Sequence, residues 1–97
     1  MQNRLNNGTR KAVYARDGYR CALCDSTKNL QIHHYIHRGR GGSDHMHNLV
    51  TLCSYCHSHV HGHPLYETDF TAEDVEQMIV EYLADYYAPD WNPYRRE

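Results

Sequence analysis

Two Cys-x-x-Cys pairs, Cys21/Cys24 and Cys53/Cys56, account for all four cysteines of the chain. One tight turn carrying two thiolates presents both to a single tetrahedral ion. A second such turn closes the site, with sulfur–zinc bonds of about 2.3 Å. A secreted disulfide framework scatters its cysteines, and thioredoxin-type redox chemistry explains one pair, not two, and needs a βαβ setting absent here. The spacing therefore predicts a structural Zn2+ held by Cys21, Cys24, Cys53 and Cys56. In a chain of 97 residues, such an ion supplies folding free energy that a small apolar core is short of.

The interval between the pairs is 28 residues, longer than in a simple zinc ribbon, and its content is unusual. NLQIHHY, residues 29–35, alternates Leu30 and Ile32 with Gln31 and His33, which predicts a strand. HRGRGGSDHMH, residues 37–47, has three glycines and little to bury, and reads as a surface loop. Leu49 to Leu52 forms a second short strand that runs into the second cysteine pair. Residues 54–61 read as a helix stopped by Gly62 and Pro64. His33 and His34 are neighbours on the first strand, so they leave on opposite faces unless the strand ends there. His57 and His61 are i and i+4 on the helix, about 6 Å apart on one face, the spacing of two ligands to one ion. Nine histidines in so short a chain point to metal or proton-transfer work.

Outside this insert, residues 1–8 read as a loose terminus, and Thr9 as the cap of a helix that runs to Arg16 and stops at Asp17-Gly18. Thr71 caps a longer helix, with Asp74 three residues on. Its Val75, Met78, Ile79, Tyr82, Leu83 and Tyr86 recur at helical spacing, with Glu73, Glu76, Glu81 and Asp85 off that stripe. The chain divides into a terminus (1–8), a zinc-clamped domain (9–63) and an acidic helical extension (64–97). With 23% charged and 40% hydrophobic residues it is globular rather than disordered. No apolar stretch reaches the roughly 18 residues of a bilayer span and no secretory leader opens the sequence, so a cytoplasmic protein without membrane contact is expected. The net charge of −2 conceals +5 over residues 1–63 and −7 over residues 64–97. A basic front half suits a polyanion.

RDGYRCALC, LQIHHY and GRGGSDHMHNLVTLCSYCH, standing in this order between Arg10 and His61, resemble the HNH endonucleases. The resemblance implies an α+β fold: a small ββα-metal (His-Me finger) core, clamped by the four-cysteine zinc and flanked here by N- and C-terminal helices. Within it His34 matches the first His, Asn48 the Asn, and His57 the last His. It implies metal-dependent hydrolysis of DNA phosphodiesters, nicking or cutting both strands and leaving 5′-phosphate and 3′-hydroxyl ends. An imidazole near its own pKa removes the proton of the attacking water, the role implied for His34. A divalent cation neutralises charge on the phosphate and the leaving 3′ oxygen. Its implied ligands are His57, His33 beside it, and His61. Asn48 ties the loop to the strand and orients His34.

Many four-cysteine relatives have Asp where His33 stands. A neutral imidazole there favours Mn2+, Ni2+ or Zn2+ over Mg2+, which prefers oxygen. The His33-His34 pair followed by His57-x-x-x-His61 is similar to the colicin-type branch. His61 is either a further ligand or a charge complementing the negative end of its helix. His37, His45, His47, His59 and His63 read as solvent-exposed. Arg16, Arg20, Arg38 and Arg40 form a basic surface whose expected partner is DNA phosphate, although loop arginines are also often simply solvated.

The C-terminal helix either covers the core or offers its acidic face to a basic partner. The family likeness implies a phage or mobile-element context, with action in a bacterial host cell beside a terminase-like packaging protein. Tyr87, Trp91 and Tyr94 either dock on a partner or pack down. The rival to a nuclease is a non-catalytic zinc-ribbon module that binds DNA or protein. The His34, Asn48 and His57 set argues against it.

Overall fold

A computed structural model describes residues 5–96. The chain folds as α1 (Asn7–Arg16), β1 (Gln31–His34), β2 (Leu49–Leu52), α2 (Ser54–Val60) and α3 (Ala72–Tyr87), with single 3-10 turns at Arg38–Arg40 and Met46–Asn48. The expected α+β class is present: β1, β2 and α2 make the ββα unit, and α1 and α3 flank it. Residues 1–4 of the expected loose terminus lie outside the described residues. Helix α1 starts two residues ahead of the expected Thr9 cap. The Asn6 Oδ1 accepts from the backbone N–H groups of Gly8 (2.7 Å) and Thr9 (3.3 Å), so Asn6 takes the capping role.

The two strands pair antiparallel, with Ile32 opposite Thr51, His33 opposite Val50 and His34 opposite Leu49. All four residues of β2 are buried because each of its faces is covered. Leu49 packs with Leu5 and Val13 on the α1 side, backed by Ile32 and Met46. Val50 and Leu52 pack on the other side with Cys21, Cys53, Ile79 and Leu83. Helix α3 thus belongs to the core: Val75, Ile79 and Leu83 are its buried stripe, while Glu73, Glu76, Glu81 and Asp85 face water. Its start is the expected one. Thr71 Oγ1 accepts from the Asp74 N–H at 3.1 Å and the Asp74 carboxylate accepts from the Thr71 N–H at 2.9 Å, a reciprocal capping box.

The segment from Ile36 to Asn48 is not the loose surface loop expected. Gly42, Ser43, His47 and Asn48 are buried within it. A Cβ on Gly42 would collide with the Ile36 carbonyl, and Gly41 has φ of 90°, so both glycines are required by the path of the chain. The tail after α3 folds back over this segment. Ser43 Oγ donates to the Pro93 carbonyl at 3.4 Å and the Arg96 guanidinium donates to the Gly41 carbonyl at 2.7 Å. Among the described residues no helix is long and apolar enough to cross a membrane.

Candidate metal centre and active site

The four cysteines converge. Cys21 and Cys24 sit on a turn closed by the Asp25 N–H to Cys21 carbonyl bond (3.0 Å), and Asp25 takes φ of 67° there. Cys53 follows β2 directly and caps α2, which places Cys56 one turn along the helix. The turn is held to the sheet by the Ala22 N–H, which donates to the Thr51 carbonyl at 2.9 Å. All four sulfurs lie within 4.8 Å of one another, with Cys24 and Cys53 3.6 Å apart. A tetrahedron with sulfur–metal bonds of about 2.3 Å has edges of roughly 3.8 Å, so the set fits a zinc site. The hydrogen bond with Cys56 draws the Cys21 thiol down to about 4, against the opposing effect of burial, while the same bond and burial push Cys56 up. Four crowded thiols cannot all ionise unaided, and a dication is the charge that lets them.

The second cluster is built from β1 and α2. Strand β1 ends at His34, and alternation turns His33 toward α2. There His33 meets His57 and His61, one helical turn apart, with ring centroids 5.2 and 5.3 Å from its own. The candidate ligand nitrogens of all three lie within 4.8 Å of one another, and His57 Nε2 is 3.2 Å from His61 Nε2. Nitrogen–metal bonds of about 2.0–2.1 Å in a tetrahedron separate two ligands by roughly 3.3 Å. Burial first, then the neighbouring His57, His61, His34 and His37, lowers the His33 imidazole to about 3. Burial and His61 lower His57. Neutral imidazole is the ligating form, and three ligands leave a coordination position open, so the residues fit a divalent ion.

His34 lines the same open pocket of about 230 Å³ as His33, His37, Arg38, His57 and His61. Its Nε2 lies 2.8 Å from Asp44 Oδ1. Asn48, fully buried, is the brace behind the strand: its Nδ2 donates to the carbonyls of Ile36 and Ser43, both at 2.9 Å, and its Oδ1 accepts from the Ile36 N–H at 2.7 Å. Its own carbonyl accepts from the Tyr35 N–H at 2.9 Å. Asn48 therefore fastens the chain just beyond His34 at two successive residues.

Several expectations are corrected. Arg16, expected to contact phosphate, has a side chain only 3% exposed. Its guanidinium donates to both oxygens of Asp17 (2.7 and 2.9 Å), to the Met46 and Leu49 carbonyls and to Tyr87 Oη. The adjacent Asp17 carboxylate draws it inward, and Asp17 also accepts from the Thr51 N–H (2.9 Å) and Tyr82 Oη (2.6 Å). Arg16 is a structural clasp between α1, β2 and α3. Arg20 and Arg40 are exposed, and Arg38 is half-buried against Asp44. His47 and His59, expected in solvent, are buried. The His47 ring stacks on Tyr87, with centroids 4.0 Å apart, and His59 Nε2 lies 2.8 Å from the Phe70 carbonyl. Trp91 packs against the core and Tyr87 is half-buried, whereas Tyr94 stays exposed. Asp44 is the site residue that sequence reasoning missed. It stands ten positions from His34 in an aperiodic glycine-rich stretch, and no spacing marks it.

The model of the HNH endonuclease family matches residues 21–63, from the first cysteine through the end of the histidine helix. No curated protein and no solved structure matches the chain. The matched stretch holds the cysteine cluster, both strands, the loop and the histidine trio, so the likeness to the HNH endonuclease family spans both clusters of the candidate site.

Proposed function

We propose that the chain is a metal-dependent endonuclease that hydrolyses DNA phosphodiester bonds, with His34 as general base and His33, His57 and His61 as the cradle of one divalent ion. The observation that carries this reading is the meeting of three histidine side chains, with a fourth histidine, around one open pocket. The cysteine cluster, with zinc, plays a separate part and fixes the ends of the 21–56 segment, so that β1 and α2 face each other. A divalent ion held by His33, His57 and His61 would supply positive charge against the negative charge that develops during phosphodiester hydrolysis. The imidazole set favours Mn2+, Ni2+ or Zn2+ over Mg2+. His34 takes the proton of the attacking water as the water oxygen bonds to phosphorus and the P–O3′ bond breaks, and the leaving 3′ oxygen takes a proton from solvent. Asn48 holds the strand end and touches no DNA, since it is fully buried.

Arg20, Arg38 and Arg40 supply phosphate contacts, and binding through them weakens as salt rises. A zinc-stabilised binding module is the rival reading. It accounts for the cysteines and leaves the histidine trio without a purpose.

The test is cleavage of supercoiled plasmid by metal-stripped protein resupplied with Mg2+, Mn2+, Ni2+ or Zn2+, with the zinc content of each sample measured. Metal-dependent nicking that is lost in zinc-replete His34→Ala supports the nuclease. No cutting with any ion by the zinc-replete wild type, alongside intact DNA binding, favours the module.

A further inference from the structure

Asp44 lies outside both metal clusters, yet its exposed carboxylate bonds to two side chains that line the pocket. Its Oδ1 sits 2.8 Å from His34 Nε2 and 3.0 Å from Arg38 Nε, and its Oδ2 sits 3.3 Å from Arg38 Nη2. One carboxylate thus joins two groups that line the same pocket. A carboxylate accepts only, so the proton of a neutral His34 facing it must reside on Nε2. That leaves Nδ1 as the nitrogen with a lone pair. The Arg38 guanidinium is gripped along one edge, and its Nη1 stands outside the pair.

Resting on the reading of His34 as the general base, we infer that Asp44 is a positioning residue that fixes the His34 tautomer with Nδ1 as the proton-accepting atom and holds Arg38 at a set distance from that imidazole. The arrangement answers a specific difficulty of this site. His34 is the last residue of a four-residue strand and its side chain is about one-fifth exposed, and packing does not by itself decide which ring nitrogen carries the proton. A hydrogen bond to a fixed anion selects one ring orientation and one tautomer before DNA arrives. When the water proton moves to Nδ1, the imidazolium that forms faces the Asp44 carboxylate, and the charge created is opposed where it appears. Asp44 does not take the proton, as in the serine-protease triad, where the carboxylate orients and stabilises the imidazole. Arg38 neutralises Asp44 in the resting site. It therefore keeps the carboxylate from repelling phosphate, and it offers its outer edge to the same polyanion.

Burial of Asp44 opposes its ionisation, but the hydrogen bonds from Arg38 and His34 outweigh it and hold the carboxyl below the usual carboxylate range. The anion that the geometry requires is thus present at neutral pH. The Arg38 and Asp44 positions flank the Gly39, Gly41 and Gly42 turns, so the pairing distance is set by the loop path that Asn48 fastens.

The experiment uses the full chain with zinc bound. Asp44→Asn keeps the shape but removes the anion, and its amide can present either a donor or an acceptor to His34 Nε2, so the tautomer is no longer held to one form. We expect kcat for plasmid nicking to fall about 100-fold or more, with KM for DNA changed less than about threefold. Long-range 1H–15N correlation spectra of the His34 imidazole provide the second readout: proton on Nε2 in the wild type, and a shift toward Nδ1 in Asp44→Asn. Asp44→Glu, which restores a carboxylate, recovers part of kcat and the Nε2 tautomer. A wild-type His34 with its proton on Nδ1 overturns the inference without any variant. Full activity of Asp44→Asn beside an inactive, folded His34→Ala overturns the inference and leaves the base intact. Wild-type activity in His34→Ala overturns both.

Discussion

Trp91 donates its indole N–H to the main-chain carbonyl of His47 at 2.7 Å, and the N–H of the next residue, Asn92, donates to His47 Nδ1 at 3.0 Å. The tail beyond α3 is thereby stapled to the loop that carries Asp44 and Asn48. His47 in turn stacks on Tyr87 at the end of α3. The acidic extension and the stretch matched to the HNH family share this contact, so the extension supports the loop beside the candidate site as well as the core.

The staple requires a neutral His47, because Nδ1 must accept from Asn92. Burial first, then the nearby His45, Arg95 and Arg16, lowers the His47 imidazole from its usual 6.5, with Asp90 opposing. The unfolded chain therefore binds more protons than the folded one between the folded value and about 6.5. The staple's contribution is complete above about 6.5 and is lost as pH falls through that window. His47→Gln cannot titrate. The difference in melting temperature between wild type and His47→Gln is expected to shrink from pH 7.5 to pH 5, all other titrating groups being common to both. A difference that stays constant over that range removes His47 from the pH response.

Arg16 supplies a contrasting prediction, since its charge suggested DNA and its surroundings indicate a clasp. Breaking one partner of a buried ion pair costs about 3–5 kcal/mol. Arg16→Ala should lose stability on that scale in urea unfolding. Arg16→Lys keeps the charge but cannot reproduce a fork that reaches Asp17, Met46, Leu49 and Tyr87, so it too should lose stability. DNA affinity of folded Arg16→Lys, and its dependence on salt, should match the wild type. A shallower salt slope for that variant alone would return Arg16 to the phosphate surface.

The features legible in the sequence are those encoded within about a turn of chain. The cysteine pairs, the His57/His61 spacing, the Thr71–Asp74 capping box and the alternation of β1 each need only two to four residues, and each stands where expected. What escaped depends on contacts across the fold. Arg16 meets residues 30 and 71 positions away, Asp44 meets His34 across the glycine loop, and His47 is covered by Tyr87 and by the tail that returns at Trp91. A stretch with three glycines and few apolar side chains reads as solvated. Its interior is instead a hydrogen-bonded core around Asn48, and a hydrophobicity pattern has no means of registering it.

The two metal clusters should be separable. The histidine trio is open to solvent at His61 and offers three ligands, whereas the cysteine cluster is closed by four sulfurs and has Cys21 and Cys53 buried. Mild chelation is expected to abolish cleavage while circular dichroism and zinc content stay near one ion per chain. Stronger chelation at elevated temperature should remove the remaining zinc and unfold the chain together. Cys53→Ser, which weakens the cluster from within the core, should lower the temperature at which that second loss occurs. Simultaneous loss of structure and activity at the first chelator step would assign both roles to one ion.

Asn48 distinguishes bracing from chemistry. It is fully buried, and its side chain satisfies two carbonyls and one N–H. Asn48→Ala leaves those three groups without a partner, and each buried orphan costs about 1–3 kcal/mol. Asn48→Asp preserves the shape but turns a carboxylate oxygen toward the Ile36 and Ser43 carbonyls, a repulsion added to the lost donors. Both variants should therefore melt well below the wild type, with Asp the worse at neutral pH. The Ile36 backbone that Asn48 grips is two residues beyond His34, so loosening it moves the base. Below its melting temperature, folded Asn48→Ala should nick plasmid slowly rather than not at all, and hydrogen exchange at Tyr35 and Ile36 should rise in parallel with the loss of rate. Complete inactivity with exchange at those two amides unchanged would mean that Asn48 acts on the substrate and is more than a brace.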